Sequence, residues 1–184
     1  MPESPFRCVL DVKAKLGESP TWSVAEQALW FVDINAPAVH RFDPATGAHA
    51  VMPMPSSIGC MGLREQGGLV VALRDGIWLA DAQGRLDRKV AQAPYDPDHL
   101  RFNDGRVDPQ GRFWIGTMNE RRDAPSAALY RLDADHAFHR VIDGITVSNG
   151  LAWSPDRRTM PRSDPPAPTV RAYDFDPASG MPSK

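Results

Sequence analysis

Val107-Asp108-Pro109-Gln110-Gly111-Arg112-Phe113-Trp114-Ile115 holds an apolar leader, a turn and an apolar run within nine residues. Asp-Pro opens the turn because proline fixes φ near about −65°, and the later glycine accepts a positive φ. A short run rich in aromatic and β-branched residues after such a turn reads as a strand. The layout recurs along the chain. Trp22-Ser23-Val24, Leu63-Arg64-Glu65 and Trp153-Ser154-Pro155 match the leader, and an apolar strand follows each leader by six or seven residues. The four leaders are 41, 44 and 46 residues apart. A third strand recurs as Val39-His40-Arg41-Phe42-Asp43, Leu129-Tyr130-Arg131-Leu132-Asp133 and Val170-Arg171-Ala172-Tyr173-Asp174, with Ile77-Trp78-Leu79-Ala80-Asp81 a looser copy. A period of 40–46 residues built from three or four short strands is the signature of a β-propeller blade. An irregular β-sandwich is the alternative, but it does not predict so long a period.

The expected fold is therefore all-β, a partial propeller of about four blades at 15–55, 56–98, 99–145 and 146–184. No window carries a helical stripe. The 14 glycines and 18 prolines exceed the combined ~12% of an average chain, as a turn-dense fold requires. With 184 residues, 42% of them apolar, the chain is long enough for one domain with a core. Its 21 basic and 23 acidic side chains give no electrostatic footprint for nucleic acid or an anionic membrane, so neither is expected as a partner. No stretch approaches the roughly 20 apolar residues of a membrane span. Met1 to Asp11 lacks the apolar centre of a signal peptide, and Cys8 and Cys60 are too few for a disulfide framework, so the cytoplasm is the expected location.

In a propeller the first strand of each blade lines the central channel, so equivalent positions meet near the axis. Four residues before the leaders stand Glu18, Gly59, Asn103 and Asn149, three of them oxygen-bearing. A carboxylate with neutral amide oxygens suits a hard divalent cation whose shell is completed by water or substrate. Arg101 and Asp104 flank Asn103 at the same mouth. The alternative is that Asn and Asp before a strand make local turn hydrogen bonds. Other chemistry-bearing patterns are missing: there is no G-x-S-x-G, no G-x-G-x-x-G and no P-loop. His136 and His139 point to opposite faces and read as surface residues rather than zinc ligands. Asp174-Phe175-Asp176-Pro177 lacks the full calcium-loop pattern and reads as a hairpin end. Trp22, Trp30, Trp78, Trp114 and Trp153 occupy recurring strand positions, which favours packing between blades over sugar stacking.

Three segments carry a family resemblance. Leu16-Gly17-Glu18-Ser19-Pro20-Thr21-Trp22 is the first. The second is Arg101-Phe102-Asn103-Asp104-Gly105-Arg106-Val107-Asp108 with Gly111-Arg112-Phe113-Trp114-Ile115-Gly116-Thr117-Met118, and the third is Ser148-Asn149-Gly150-Leu151-Ala152-Trp153-Ser154. In this order and spacing they resemble the senescence marker protein/gluconolactonase/luciferin-regenerating enzyme family. The resemblance implies a six-bladed propeller with one divalent cation (Ca, Zn, Mn or Mg) at the top of its channel, and hydrolysis of a sugar lactone to the aldonic acid. It implies Glu18 and Asn149 as metal ligands, and Arg101 and Asn103 as substrate-binding residues. Glu120 is the nearest match to a further substrate-contacting glutamate, with an alignment disturbed by Arg121 and Arg122.

The sequence departs from the family in two places. The family's catalytic aspartate, also a metal ligand, belongs to a later blade and is expected beyond Lys184, so the catalytic residue is unassigned. Met160-Pro161-Arg162-Ser163-Asp164-Pro165-Pro166-Ala167-Pro168 stands where the family has an apolar, aromatic-rich strand, and its four prolines are expected to preclude a central strand. Four units of a six-unit ring would leave two apolar blade faces uncovered, open to self-association; a closed four-bladed ring is the alternative. Two function classes follow: a metal-dependent lactone hydrolase, or a non-catalytic propeller remnant or interaction module.

Overall fold

The structure, a computed structural model, describes residues 6–183. Met1 to Pro5, the start of the segment read as lacking a signal peptide's apolar centre, and Lys184 lie outside the described residues.

Every element among the described residues is a strand, in four antiparallel sheets that follow one another along the chain. The first holds β1 (Gly17–Ser23), β2 (Ala28–Asp33), β3 (Ala38–Phe42) and β4 (His49–Pro53) in sequence order. The second holds β5 (Ile58–Leu63), β6 (Leu69–Leu73), β7 (Gly76–Ala80) and β8 (Leu86–Gln92). The third holds β9 (Leu100–Val107), β10 (Phe113–Asn119), β11 (Ala127–Leu132) and β12 (Phe138–Ile145). The fourth holds β13 (Thr159–Asp164), β14 (Thr169–Asp176) and β15 (Met181–Ser183). Each sheet is an up-and-down meander, and the whole is a partial propeller.

Alternation along β2 and β6 builds the stack. Trp30 and Val32 meet Leu69, Val71 and Leu73 in a core between sheets one and two. The other face of β6, Val70 and Ala72, packs with Phe102, Phe113 and Ile115 of sheet three. β6 is thus buried on both faces, which is why it reads as the unbroken apolar run Leu69-Val70-Val71-Ala72-Leu73. Trp114, Leu129 and Ile145 of sheet three meet Met160, Tyr173 and Phe175 of sheet four in the third core. Burying each such side chain stabilises by about 1.5–3 kcal/mol relative to exposure. These three buried clusters join sheets one to four in succession, and none of them joins four to one. The array is open, as expected for a partial ring.

Four of the five tryptophans serve these interfaces. Trp30 and Trp114 lie in the cores, and Trp78 and Trp153 pack against them. Trp22 is the exception. It is 47% exposed, belongs to none of the three cores, and lines a cavity with Met61, Leu63 and Arg106.

The turns after the third strands repeat closely. The Gly47 N–H donates to Asp43 O at 2.8 Å and the Gly180 N–H to Asp176 O at 2.8 Å, while each aspartate carboxylate accepts the N–H two residues on. This match sets Ala172–Phe175, rather than Val170–Tyr173, against Val39–Phe42, a two-residue correction to the alignment of the fourth unit. Sheet three reaches over to this last turn. Arg131 Nη1 donates to Ser179 O and Gly180 O at 3.0 and 2.8 Å, and Arg112 Nη2 donates to Pro177 O at 2.9 Å.

The proline-rich segment forms a strand, but one at the edge of its three-stranded sheet rather than a central one. Pro165, Pro166 and Pro168 fall in the β13–β14 turn, and only Pro161 lies within β13, paired with Ala172 of β14. Its missing N–H faces the other way, toward 149–154. Asn149 and Ser163 exchange both backbone hydrogen bonds at 3.1 and 2.8 Å; beyond them the Ala152 N–H reaches Pro161 O at 3.3 Å and the Ser154 N–H reaches Thr159 O at 2.9 Å, with no bond returned from Pro161. A regular strand there would need the donor that proline lacks. The expected first strand of the fourth unit is therefore reduced to an isolated bridge, and its sheet has three strands.

Candidate metal and substrate site

The innermost strands β1, β5 and β9 run alongside one another, and each is irregular at the same place. The register with the second strand shifts between Glu18 and Thr21, between Ile58 and Cys60, and opposite Gly116, where Asn103 and Asp104 share one partner. Such bulges bend a strand and re-aim its side chains. The register position read from the sequence thus coincides with a structural feature in all three sheets. Gly59 has no side chain there for a steric reason: a Cβ would stand 2.5 Å from the carbonyl carbon and oxygen of Phe102.

Glu18 is half-buried at the start of β1. Burial raises its pKa, the Asp104 carboxylate raises it further, and the Arg101 guanidinium opposes both. Burial also raises the pKa of Asp104, against the Leu151 N–H, which donates to its Oδ2 at 3.2 Å. Glu18, Arg101 and Asp104 are therefore within electrostatic reach of one another. Asn149 lies in the 148–151 segment, which Asn103 and Asp104 tie to sheet three. Asn103 Nδ2 donates to Ser148 O at 2.9 Å, and Asp104 holds the Leu151 N–H two residues beyond Asn149. Asn149 Oδ1 accepts the N–H of Gly150 at 3.0 Å, a local turn bond of the kind weighed above.

Arg101 and Asn103 are bonded to each other. Arg101 Nη1 donates to Asn103 Oδ1 and to Phe102 O, both at 2.9 Å. Asn103 is 8% exposed and its amide is spent on Arg101 and Ser148, so it acts as a tie between sheet three and the 148–151 segment. Asp104 is likewise committed to that segment, which favours a local role for it.

Arg74 and Glu120 escaped the sequence reading as a pair. Arg74 Nη2 and Nη1 donate to Glu120 Oε2 and Oε1 at 2.5 and 3.3 Å, and Arg101 Nε stands 3.8 Å from Glu120 Oε1. One carboxylate thus holds two guanidiniums side by side, and burial, Arg74 and Arg122 together lower the pKa of Arg101. Both residues immediately follow second strands, β6 and β10, at the end where the inner strands begin. That equivalence was the available signal.

The two surface histidines lie as expected. His139 Nε2 meets Asp133 Oδ2 at 3.1 Å with its side chain 48% exposed, and His136 sits in a turn. Among the described residues no three His, Cys, Asp or Glu side chains converge as a cation cage. What could hold a cation here are two hard oxygen donors, Glu18 and Asn149, with the Asp104 carboxylate within electrostatic reach of Glu18. That donor chemistry fits a divalent ion completed by water or substrate.

The chain matches the family model of the SMP-30/gluconolactonase/LRE-like region over residues 16–184. It is 48% identical over 171 residues to a 6-deoxy-6-sulfogluconolactonase of Pseudomonas putida, covering 93% of this chain and 59% of that protein. It is 38% identical over 175 residues to a regucalcin of Danio rerio, covering 94% and 59%. Among solved structures, a regucalcin from Agrobacterium tumefaciens, described as a calcium-binding protein, superposes with a TM-score of 0.84 at 28% identity, over 92% of this chain and 57% of that one. A luciferin-regenerating enzyme gives 0.83 at 28% identity, over 92% and 59%. This chain spans about 59% of the length of the curated relatives it matches. With the repeated sheets, the shared bulges and the three sequence segments in place, the chain belongs to the SMP-30/gluconolactonase/LRE-like family.

Proposed function

We propose that the chain belongs to a sugar lactone hydrolase that opens a cyclic ester to the aldonic acid, with a divalent cation (Ca2+, Mg2+, Mn2+ or Zn2+) as cofactor. The reading is carried by the meeting of Glu18, Asp104 and Arg101 at one end of the inner strands, in a chain 48% identical to a gluconolactonase. Glu18 and Asn149 would hold the cation, which supplies polarisation of the lactone carbonyl. The chain's own residues do the rest of the binding. Arg101 presents its forked donors to the oxygens of the substrate. Asn103 and Glu120 fix the plane of that fork from two sides, so little orientation is left to be found on binding. In the reaction the water oxygen bonds to the carbonyl carbon, the ring C–O bond breaks, and the proton passes to the departing ring oxygen. By the family pattern the proton acceptor is an aspartate of a later blade.

Acid release from D-glucono-1,5-lactone at constant pH tests this reading, with Ca2+, Mn2+ or Zn2+ added and with chelator. Metal-dependent turnover that is lost in Glu18→Ala supports it. Absence of turnover with every cation overturns it in favour of a non-catalytic module.

A further inference from the structure

Counting fifteen residues on from the register positions Glu18, Gly59, Asn103 and Asn149 reaches Asp33, Arg74, Met118 and Asp164. The two aspartates fall in the two units that carry the candidate cation ligands, and they do the same thing there. The Lys15 N–H donates to Asp33 Oδ2 at 2.7 Å and the Leu16 N–H to Asp33 Oδ1 at 3.1 Å. The Thr146 N–H donates to Asp164 Oδ2 at 3.0 Å and the Val147 N–H to Asp164 Oδ1 at 2.9 Å. In each unit one carboxylate captures the N–H groups three and two residues before the candidate ligand, with the same oxygen serving the same position. Both aspartates are buried, at 3% and 7% exposure. The other two units lack the device. In the second, the Arg74 N–H donates to Ser56 Oγ, and in the third the Leu100 N–H donates to Asp96 O.

We propose that Asp33 and Asp164 are positioning residues for the cation site, each locking the chain that leads into Glu18 or Asn149; this rests on the cation reading above. Glu18 is the last regularly paired residue before the β1 bulge, and Asn149 is paired with Ser163 in an isolated bridge, so each stands at the edge of its ladder pairing rather than within a continuous inner strand. Charge-assisted bonds to a buried carboxylate are short and about twice as strong as neutral ones. Here they fix the two residues that lead into each short stretch of ladder pairing. A ligand whose backbone is fixed loses less freedom on coordinating an ion, and outer partners of this kind are worth about 10–100-fold in metal affinity.

Calorimetric titration of Ca2+ and of Mn2+ into the 184-residue chain tests the proposal, using Asp33→Asn, Asp164→Asn and the control Asp108→Asn. Asp108 is equally buried and also accepts two backbone N–H groups, from Gln110 and Arg112, but it does so in the β9–β10 turn. The expected result is cation affinity at least tenfold weaker in the first two variants and within twofold of wild type in the control, even where the control loses as much thermal stability. Equal shifts in all three, or none in the first two, overturn the positioning role alone. A wild-type chain that binds neither ion overturns the cation reading and the positioning role together. Should an asparagine variant not fold, Asp33→Glu and Asp164→Glu, which keep the charge but displace it, carry the same comparison.

Discussion

Replacing Arg162 by methionine should make the protein more stable. Arg162 lies in β13 at 2% exposure, and none of the ion pairs among the described residues includes it. Its Nη1 reaches Ser163 O at 3.3 Å and its Nη2 reaches Tyr173 Oη at 3.5 Å, while Nε has no partner. Across the sheet its register partner is another arginine, Arg171. A buried guanidinium with long bonds and an orphaned donor carries most of its desolvation penalty uncompensated. Replacing buried ionic groups by apolar ones of similar volume stabilises by about 1–4 kcal/mol. The two long bonds lost offset about 1 kcal/mol of that at most. A net gain of up to about 3 kcal/mol corresponds to a rise of up to roughly 12 °C in Tm for a chain of this size. Thermal unfolding followed by circular dichroism reads it, with the exposed Arg171→Met, expected within about 0.5 kcal/mol of wild type, as control. A fall of 1 kcal/mol or more in Arg162→Met would refute the reasoning, because it would mean that the guanidinium is well compensated.

Acid stability should depend on Asp33. Burial acts to raise its pKa, but four backbone N–H groups (Ala36, Lys15, Leu16 and Asn35) hold it below the usual carboxylate value. A lowered folded-state pKa means stability that is complete above the unfolded value of about 3.9 and is lost as pH falls through the folded one. Urea midpoints measured from pH 6 down to pH 2 should therefore fall more steeply in wild type than in Asp33→Asn, and parallel curves would contradict this. Gly59→Ala should cost about 1–3 kcal/mol or more, since its Cβ would meet the Phe102 backbone at 2.5 Å, and a urea midpoint unchanged from wild type would exclude that close approach. Arg131→Ala removes the donors to Ser179 O and Gly180 O, so amide protection in the β14–β15 hairpin should drop while sheets one and two keep theirs. Hydrogen exchange that is unchanged in the hairpin would show that Arg131 does not hold it.

Much of the fold was legible because a propeller repeats one local pattern. The leaders Trp22, Leu63 and Val107 each end an inner strand or its last turn-ward residues, and the register counted back from them falls at the bulges of all three complete sheets. Asp-Pro turns were readable because proline and the positive-φ glycines act within a few residues. Pro161 does keep β13 from being a central strand, but that the segment still forms an edge strand was not readable locally. Whether a strand tolerates proline depends on which neighbour its N–H would have faced, and that is a property of the sheet. Glu18 and Asn149 could be matched by type and spacing, whereas Asn103 turned out to spend its amide internally on Ser148 O and Arg101. The Arg74–Glu120 pair joins residues 46 apart, and only their equivalent places after β6 and β10 point to it. Asp33 and Asp164 were visible in principle through their common fifteen-residue offset, but their role rests on backbone N–H groups that carry no sequence letter.

A cation soaked into crystals of the chain gives the most direct measurement. With Mn2+, anomalous scattering should locate one ion in contact with both the Glu18 carboxylate and Asn149 Oδ1, at the end of the molecule that carries Arg101 and Glu120. An ion bound by only one of them, or found elsewhere with both side chains bare, would contradict the shared rim on which the functional reading depends.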